Sequence, residues 1–207
     1  MLGYFLLRGA ALLPALHHAR LQALQARIRP HFLFNTINAV LGIVRANPKR
    51  AETALEDMSD LFRSAMADHA ALVYLETEVS LTQQYLALET LRLGERLQVN
   101  WKIDSQLRGA KIPPMILQPL LENAVYHGIE PLVQGGVIEV HLARLGGQLH
   151  IDIRNPRAAL GAHHRGNKMA LSNIRERLSL QFDVEASYQV EANKDSYHVH
   201  IHIPCPN

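Results

Sequence analysis

A chain of 207 residues with 48% hydrophobic and 19% charged side chains has the make-up of an ordinary globular protein, long enough for one large domain or two small ones. Lysine and arginine number 21 against 19 aspartate and glutamate, and a net charge of +2 with the signs well mixed does not advertise a nucleic-acid-binding surface. The single cysteine, Cys205, excludes an intrachain disulfide and fits a reducing compartment.

The apolar run "LGYFLLRGAALLPAL" (2–16) contains Arg8 and Pro14. It is shorter than the roughly 20 residues a spanning helix needs. Residues 1–14 therefore read as a juxtamembrane or linker segment: the end of a membrane region, an interfacial stretch or a dimer-forming helix. A cleaved signal peptide fits less well, because no basic start precedes the apolar stretch. From about 15 to 46 the spacing of Leu21, Leu24, Ile28, Phe32, Ile37, Val40 and Leu41 predicts a helix. Pro30 interrupts it. A proline in a helix body removes one backbone hydrogen bond at a cost of about 3 kcal/mol. The expected kink frees a carbonyl near Ala26 and tilts His31 outward, where a neutral imidazole is a competent nucleophile. The plainer alternative is a partly buried helix histidine beside Phe32, Leu33 and Phe34.

"NPKR" (47–50) predicts a break, with Asn47 capping a second helix and Pro48 in its first turn. That helix carries Ala51, Ala54, Leu55, Met58, Leu61, Phe62 and Ala65 on one face. One helical hairpin cannot bury both of its faces, and dimerisation into a four-helix bundle is the simplest remedy. A third helix, 75–93, ends at Gly94, closing a helical region assigned to 15–94.

Beyond Gly94 strands and helices alternate, which predicts an α+β sandwich over 95–207. "LQVNWKI" (97–103) reads as a strand and "PPMILQPLLENAVYHGI" (113–129) as a helix entered through prolines. "GVIEVHLARLGGQLHIDIRN" (136–155) reads as a hairpin turning at Gly146 and Gly147. A polar loop (156–168), a helix (169–182) and two strands (186–192 and 196–203) complete the chain.

Within "LLENAVYHG", Asn123 and His127 fall on one helical face with Glu122 beside them, which suits either the wall of a polar pocket or a solvated stripe. An asparagine carbonyl is a hard oxygen donor of the kind Mg²⁺ accepts alongside water and phosphate. In "HVHIH", His198, His200 and His202 share one face of a strand. Chelation of Zn²⁺ or Ni²⁺ is one explanation, and an antiparallel strand with one wet face is the expected one. His17–His18 and His163–His164 lack partners at ligand spacing, and no Ser/His/Asp or Cys/His constellation is evident.

"PHFLFN" (30–35), "ILQPLLENAVYHGI" (116–129) and "ALSNIRERL" (170–178) together resemble the LytS-like sensor histidine kinases, most nearly the cytoplasmic part of the alginate and fimbrial regulator type, over roughly 20–204. The resemblance implies a dimerising helical hairpin joined to an ATP-binding sandwich of the gyrase, heat-shock-90, kinase and mismatch-repair (GHKL) type. It implies that His31 is the phospho-acceptor, that Asn35 orients its ring and that Glu122 polarises a water or proton. Asn123 would be the Mg²⁺ ligand and His127 would lie near the phosphates of ATP, with Arg92 a weaker candidate for orienting the phosphoryl group. The partners implied are a second copy of the chain and a response regulator receiver domain, LytTR-type DNA-binding output being one form of it. The chain would be the cytoplasmic region of an inner-membrane sensor, without a complete transmembrane helix of its own.

One feature sets the motif apart from many other histidine kinases, and the pattern departs from the family in two places. Phe32 stands next to the histidine where many other histidine kinases carry an acid, so the sequence names no general base. Asn155 occupies the position of the aspartate that binds the adenine amino group, losing charge assistance worth roughly 1 kcal/mol. In "GAHHRGNKMAL" (161–171), Gly166 supplies one phosphate-loop glycine, but Lys168 and Ala170 stand where glycines are expected. Lys168 and Arg165 are the candidates to compensate by charge. The rival expectation is a degenerate dimeric module that binds or dephosphorylates the regulator without using ATP.

Overall fold

The computed structural model describes residues 30–67, 71–157, 174–176, 178–179, 181–182 and 186–205. It divides into two compact units, Met1–Asp68 and His69–Asn207.

The first unit contains the helical hairpin, α1 (Pro30–Ile43) and α2 (Pro48–Met66). The break falls where the sequence predicts it. Asn47 Oδ1 accepts the amide of Arg50 at 3.0 Å, and Pro48 takes the first helical turn, where its missing N–H leaves no bond unmade. Small residues on one face of α2, Ala51, Ala54 and Ala65, are buried with Leu61, and Thr36 and Val40 are the buried residues of α1. The carbonyl near Ala26 that the predicted kink would free lies outside the described residues.

In the second unit, Val73–Tyr74 (β1) pairs antiparallel with Lys111–Ile112 (β3), a two-stranded sheet too short for the sequence to signal. Helix α3 (Leu75–Leu93) ends at Gly94, whose φ of 59° needs a residue without a Cβ. The sequence groups this helix with the hairpin, whereas the compact division falls before it, at Asp68 and His69. The physical reason is its packing: Leu75, Val79, Leu86, Leu88 and Leu93 are buried within the second unit, where α3 lies against helix α4 (Leu117–Ala124). An amphipathic pattern reports that a face is covered, not what covers it.

The main sheet has five strands, β2 (Leu97–Ile103), β4 (Gly136–Leu145), β5 (Gln148–Pro156), β6 (Ser187–Ala192) and β7 (Ser196–Pro204), in the order β2-β4-β5-β7-β6. β2 and β4 are parallel and the other neighbours antiparallel. The β4–β5 turn has both central glycines at positive φ, 58° at Gly146 and 76° at Gly147, as a two-residue hairpin requires. Alternation buries Ile138, Val140 and Leu142 of β4, Leu149, Ile151 and Ile153 of β5, and Val199, Ile201 and Ile203 of β7. Residues 174–176, 178–179 and 181–182 are helical, with Ile174 and Leu178 buried, so the described part of the segment predicted as helix over 169–182 is helix.

Candidate functional site

His31 opens the described helix α1 with its side chain exposed. The Asn35 amide nitrogen lies 3.2 Å from each ring nitrogen, close enough to donate to whichever one carries the lone pair. The pairing follows from helix periodicity, since residues four apart meet on one face. A ring held from one side by a neutral donor is oriented, and no carboxylate is needed for that.

In the second unit, residues 114–116 form a bend after Pro113, and the helix predicted over 113–129 starts later, at Leu117. Met115 takes a φ of 58°, rare for a residue with a side chain. The Glu78 carboxylate of α3, itself buried, accepts the amides of Met115, Ile116 and Leu117 at 2.7, 3.1 and 3.3 Å and fixes this entry. Glu122 and Asn123 then occupy the last turn of α4. Asn123 is 5% exposed, and Glu122 Oε1 accepts from Gln118 Nε2 at 2.9 Å. After Ala124 the helix widens into a π turn, Val125–Ile129, which carries His127. The His127 ring meets the Tyr126 ring edge-on, with centroids 4.8 Å apart.

Gly128 is what lets this π turn touch the sheet. A Cβ there would sit 2.7 Å from the Pro156 carbonyl oxygen and 3.0 Å from Asn155 Cγ. Asn155, also 5% exposed, closes β5 on the buried side of the sheet, and its Nδ2 donates to the Pro156 carbonyl at 2.7 Å. That bond turns the amide nitrogen toward the backbone and leaves Oδ1 as the acceptor end. The fold thus brings the end of β5 with Asn155 against the turn that follows Asn123. Arg165, Gly166, Lys168 and Ala170 lie outside the described residues.

Arg92 is engaged elsewhere. Its guanidinium pairs with Glu89 at 2.6 Å and Glu130 at 2.9 Å, tying α3 to the end of the π turn. Burial disfavours its charge, and the attraction of Glu89 and Glu130 outweighs that, raising its pKa above the ordinary arginine value. Arg92→Met should lower stability by about 1–2 kcal/mol, the order expected for a part-buried charged pair, which urea unfolding would measure. An unchanged midpoint would mean that the tie contributes nothing.

The sequence contains Glu78, Gln118 and Gly128 but does not flag them. Only the glycine following "VYH" carries a local hint, because a glycine inside a helical pattern signals a close approach.

Residues 19–97 match the family described as histidine kinase. The chain is 32% identical over 174 residues to the sensor histidine kinase YpdA of Escherichia coli, covering 79% of this chain and 31% of that protein. It is 32% identical over 190 residues to the sensor protein LytS of Bacillus cereus, covering 86% of this chain and 32% of that one. The chain is similar to the LytS-like sensor histidine kinases. The catalytic domain of histidine kinase ThkA superposes with a TM-score of 0.52 at 10% identity, over 66% of this chain and 98% of that one. At that identity the likeness speaks for fold alone, and the fold is an α+β sandwich of the GHKL type. The histidine kinase family model spans the hairpin, α3 and the start of β2, and the similarity to YpdA and LytS extends over most of the chain. The chain spans about a third of the length of the curated LytS-like relatives it matches.

Proposed function

We propose that this chain is the phosphotransfer and ATP-binding region of a two-component sensor kinase, in which His31 takes the γ-phosphoryl group of Mg·ATP and passes it to an aspartate of a response regulator receiver domain. The observation that carries the proposal is the exposed His31 imidazole with the Asn35 amide set against its ring. The unprotonated ring nitrogen attacks the γ-phosphorus, an N–P bond forms, the bond to the ADP oxygen breaks, and the proton on the other ring nitrogen goes to solvent. The phosphoramidate is labile enough to hand the group on.

The residues of the second unit suit the nucleotide. Asn123 offers one hard, neutral oxygen from a buried side chain, which fits Mg²⁺, an ion that keeps most of its shell for water and phosphate. Mg²⁺, when bound, neutralises charge on the phosphates. In this reading Glu122, which accepts from Gln118, polarises a water or proton, and His127 lies near the phosphates. Asn155, whose Nδ2 donates to the Pro156 carbonyl, would offer Oδ1 to the adenine amino group in this reading. Arg165, Gly166 and Lys168 are assigned to the phosphates on the resemblance alone. The partners in this proposal are a second copy of the chain and a receiver domain, one form of which carries a LytTR-type output. The chain is assigned to the cytoplasmic side of an inner-membrane sensor, and no helix among the described residues is long and apolar enough to cross a membrane.

A second reading, a dimeric module that binds or dephosphorylates the regulator without ATP, is favoured by the neutral Asn155 and by Ala170 in the phosphate loop. Incubation of the purified chain with Mg²⁺ and γ-labelled ATP separates the two. Acid-labile, alkali-stable label on the parent, absent from His31→Gln and Asn123→Ala, is the expected result. A folded parent that takes no label and binds no nucleotide would replace the kinase proposal with the second reading.

A further inference from the structure

The histidine-rich strand β7 faces a matching row of side chains on β5. β5 and β7 run antiparallel in a register that sets His150 opposite His202, Asp152 opposite His200 and Arg154 opposite His198. Alternation sends these side chains away from the buried Ile151, Ile153, Val199 and Ile201. His150, His200 and His202 each bring a ring nitrogen to within 4.8 Å of the other two, and Asp152, His198 and His200 form a second such group. The His202 ring lies 4.0 Å from the ring of His150 and 4.2 Å from that of His200, centroid to centroid.

His200 is the hub, and its two nitrogens have different jobs. Nδ1 meets the Asp152 carboxylate, and Nε2 faces Nε2 of His202. A carboxylate is only an acceptor, so Nδ1 carries the hydrogen and the lone pair is left on Nε2, on the side of His202. Asp152 also holds Nε2 of His198 at 3.1 Å. A carboxylate on one ring nitrogen, with the other turned toward further imidazoles, is the arrangement that prepares a histidine to bind a metal ion. Solvation alone would not ask for it.

We propose that His150, His200 and His202 form a three-histidine site for a borderline divalent transition-metal ion, Zn²⁺ or a close relative, with Asp152 as the residue that positions His200. Imidazole donors suit Zn²⁺, Ni²⁺ and Cu²⁺, whereas Mg²⁺ prefers oxygen, so this site and Asn123 would not compete for one ion. Three protein nitrogens leave a fourth tetrahedral position for water. The ion would clip β5 to β7 at the centre of the sheet. His150 and Asp152 point to one side of β5 and Asn155 to the other, so the site is separate from the proposed nucleotide pocket and does not depend on it.

The test is a titration of the untagged full chain, stripped of metal, with Zn²⁺ alone near neutral pH, read by competition with a chromophoric chelator and by the melting temperature. The expected result is one ion per chain and a rise in melting temperature. His150→Gln and His202→Gln should remove the tight phase, and Asp152→Asn should weaken it by about 10- to 100-fold. Each variant should retain the parent's circular dichroism, since the three side chains lie on the outer face. Co²⁺ in place of Zn²⁺ should give the visible absorption of a tetrahedral nitrogen site, lost in His202→Gln. Changing His17, His18, His163 and His164 together to glutamine should alter nothing. If Zn²⁺ leaves the melting temperature unmoved, or if His150→Gln and His202→Gln titrate like the parent, the site does not exist and the strand is only solvated.

Discussion

Glu78→Ala is expected to destabilise the second unit by about 3–5 kcal/mol, the scale for leaving three backbone amides without their acceptor. The carboxylate is 3% exposed and accepts three consecutive backbone amides, those of Met115, Ile116 and Leu117. They belong to the entry of α4, where helical amides have no intrahelical partner and the helix dipole favours a negative charge. Ile116 and Leu117 are fully buried, so water cannot replace the lost acceptor. Each orphaned amide costs about 1–3 kcal/mol. Met115, in a left-handed conformation worth about 1–3 kcal/mol of strain, loses the contact that holds it there. Glu78→Gln keeps an acceptor oxygen without the charge and should lose roughly half as much. Urea unfolding followed by the fluorescence of Trp101, the only tryptophan, would measure both. A loss below about 1 kcal/mol for the alanine variant would mean that the entry of α4 is held by its packing and not by the carboxylate. Because α4 carries Glu122 and Asn123, the proposed nucleotide binding should fall with the stability of this entry.

That so large an expected effect on folding belongs to a residue without a sequence signal shows where local pattern stops being informative. Asn47–Pro48 and the Gly146–Gly147 turn were legible because each is decided within four residues, by a cap and by two positive φ angles. The boundaries of α3 and of β2 are equally local, set by Gly94 and by alternation. Glu78 meets Met115 across 37 residues, and β1 meets β3 across a comparable gap, so both pairings arise only when the chain folds back. The same holds for the histidines. "HVHIH" advertises three of them, but His150, which turns a striped strand into a convergent cluster, arrives from another strand through register. In "PHFLFN" the meeting of Asn35 with His31 could be read directly, because residues four apart share one helical face. The π turn and the fit of Gly128 against Asn155 could not, since they depend on how closely α4 approaches β5.

If the chain forms the proposed dimer, Leu41→Glu should convert it to a monomer. Phe34, Ile37, Leu41 and Val44 follow one another at spacings of three, four and three along α1 and its end, the a/d spacing of a helix seam. All four are exposed in the single chain, Phe34 at 66% and Leu41 at 64%, while the hairpin's own contact uses Thr36 and Val40 on another face. The seam is continuous, apolar and narrow, which suits a matching helix of a second copy in a four-helix bundle. In a two-fold dimer every substitution occurs twice. Burying a leucine contributes about 1.5–3 kcal/mol, so losing two, with two carboxylates placed in the seam, should weaken association by at least 3–6 kcal/mol. That corresponds to about a hundredfold or more in Kd. Sedimentation velocity across a concentration series would read it, with circular dichroism to show that the helices persist. Leu145→Glu, at an exposed position in the second unit, is the control and should leave the dimer intact. A Leu41→Glu chain that sediments like its parent would place the dimer contact elsewhere. A monomer that still takes label from ATP on His31 would show that the phosphoryl group is transferred within one subunit. A monomer that takes none, with nucleotide affinity unchanged, would show that the acceptor histidine needs the second copy.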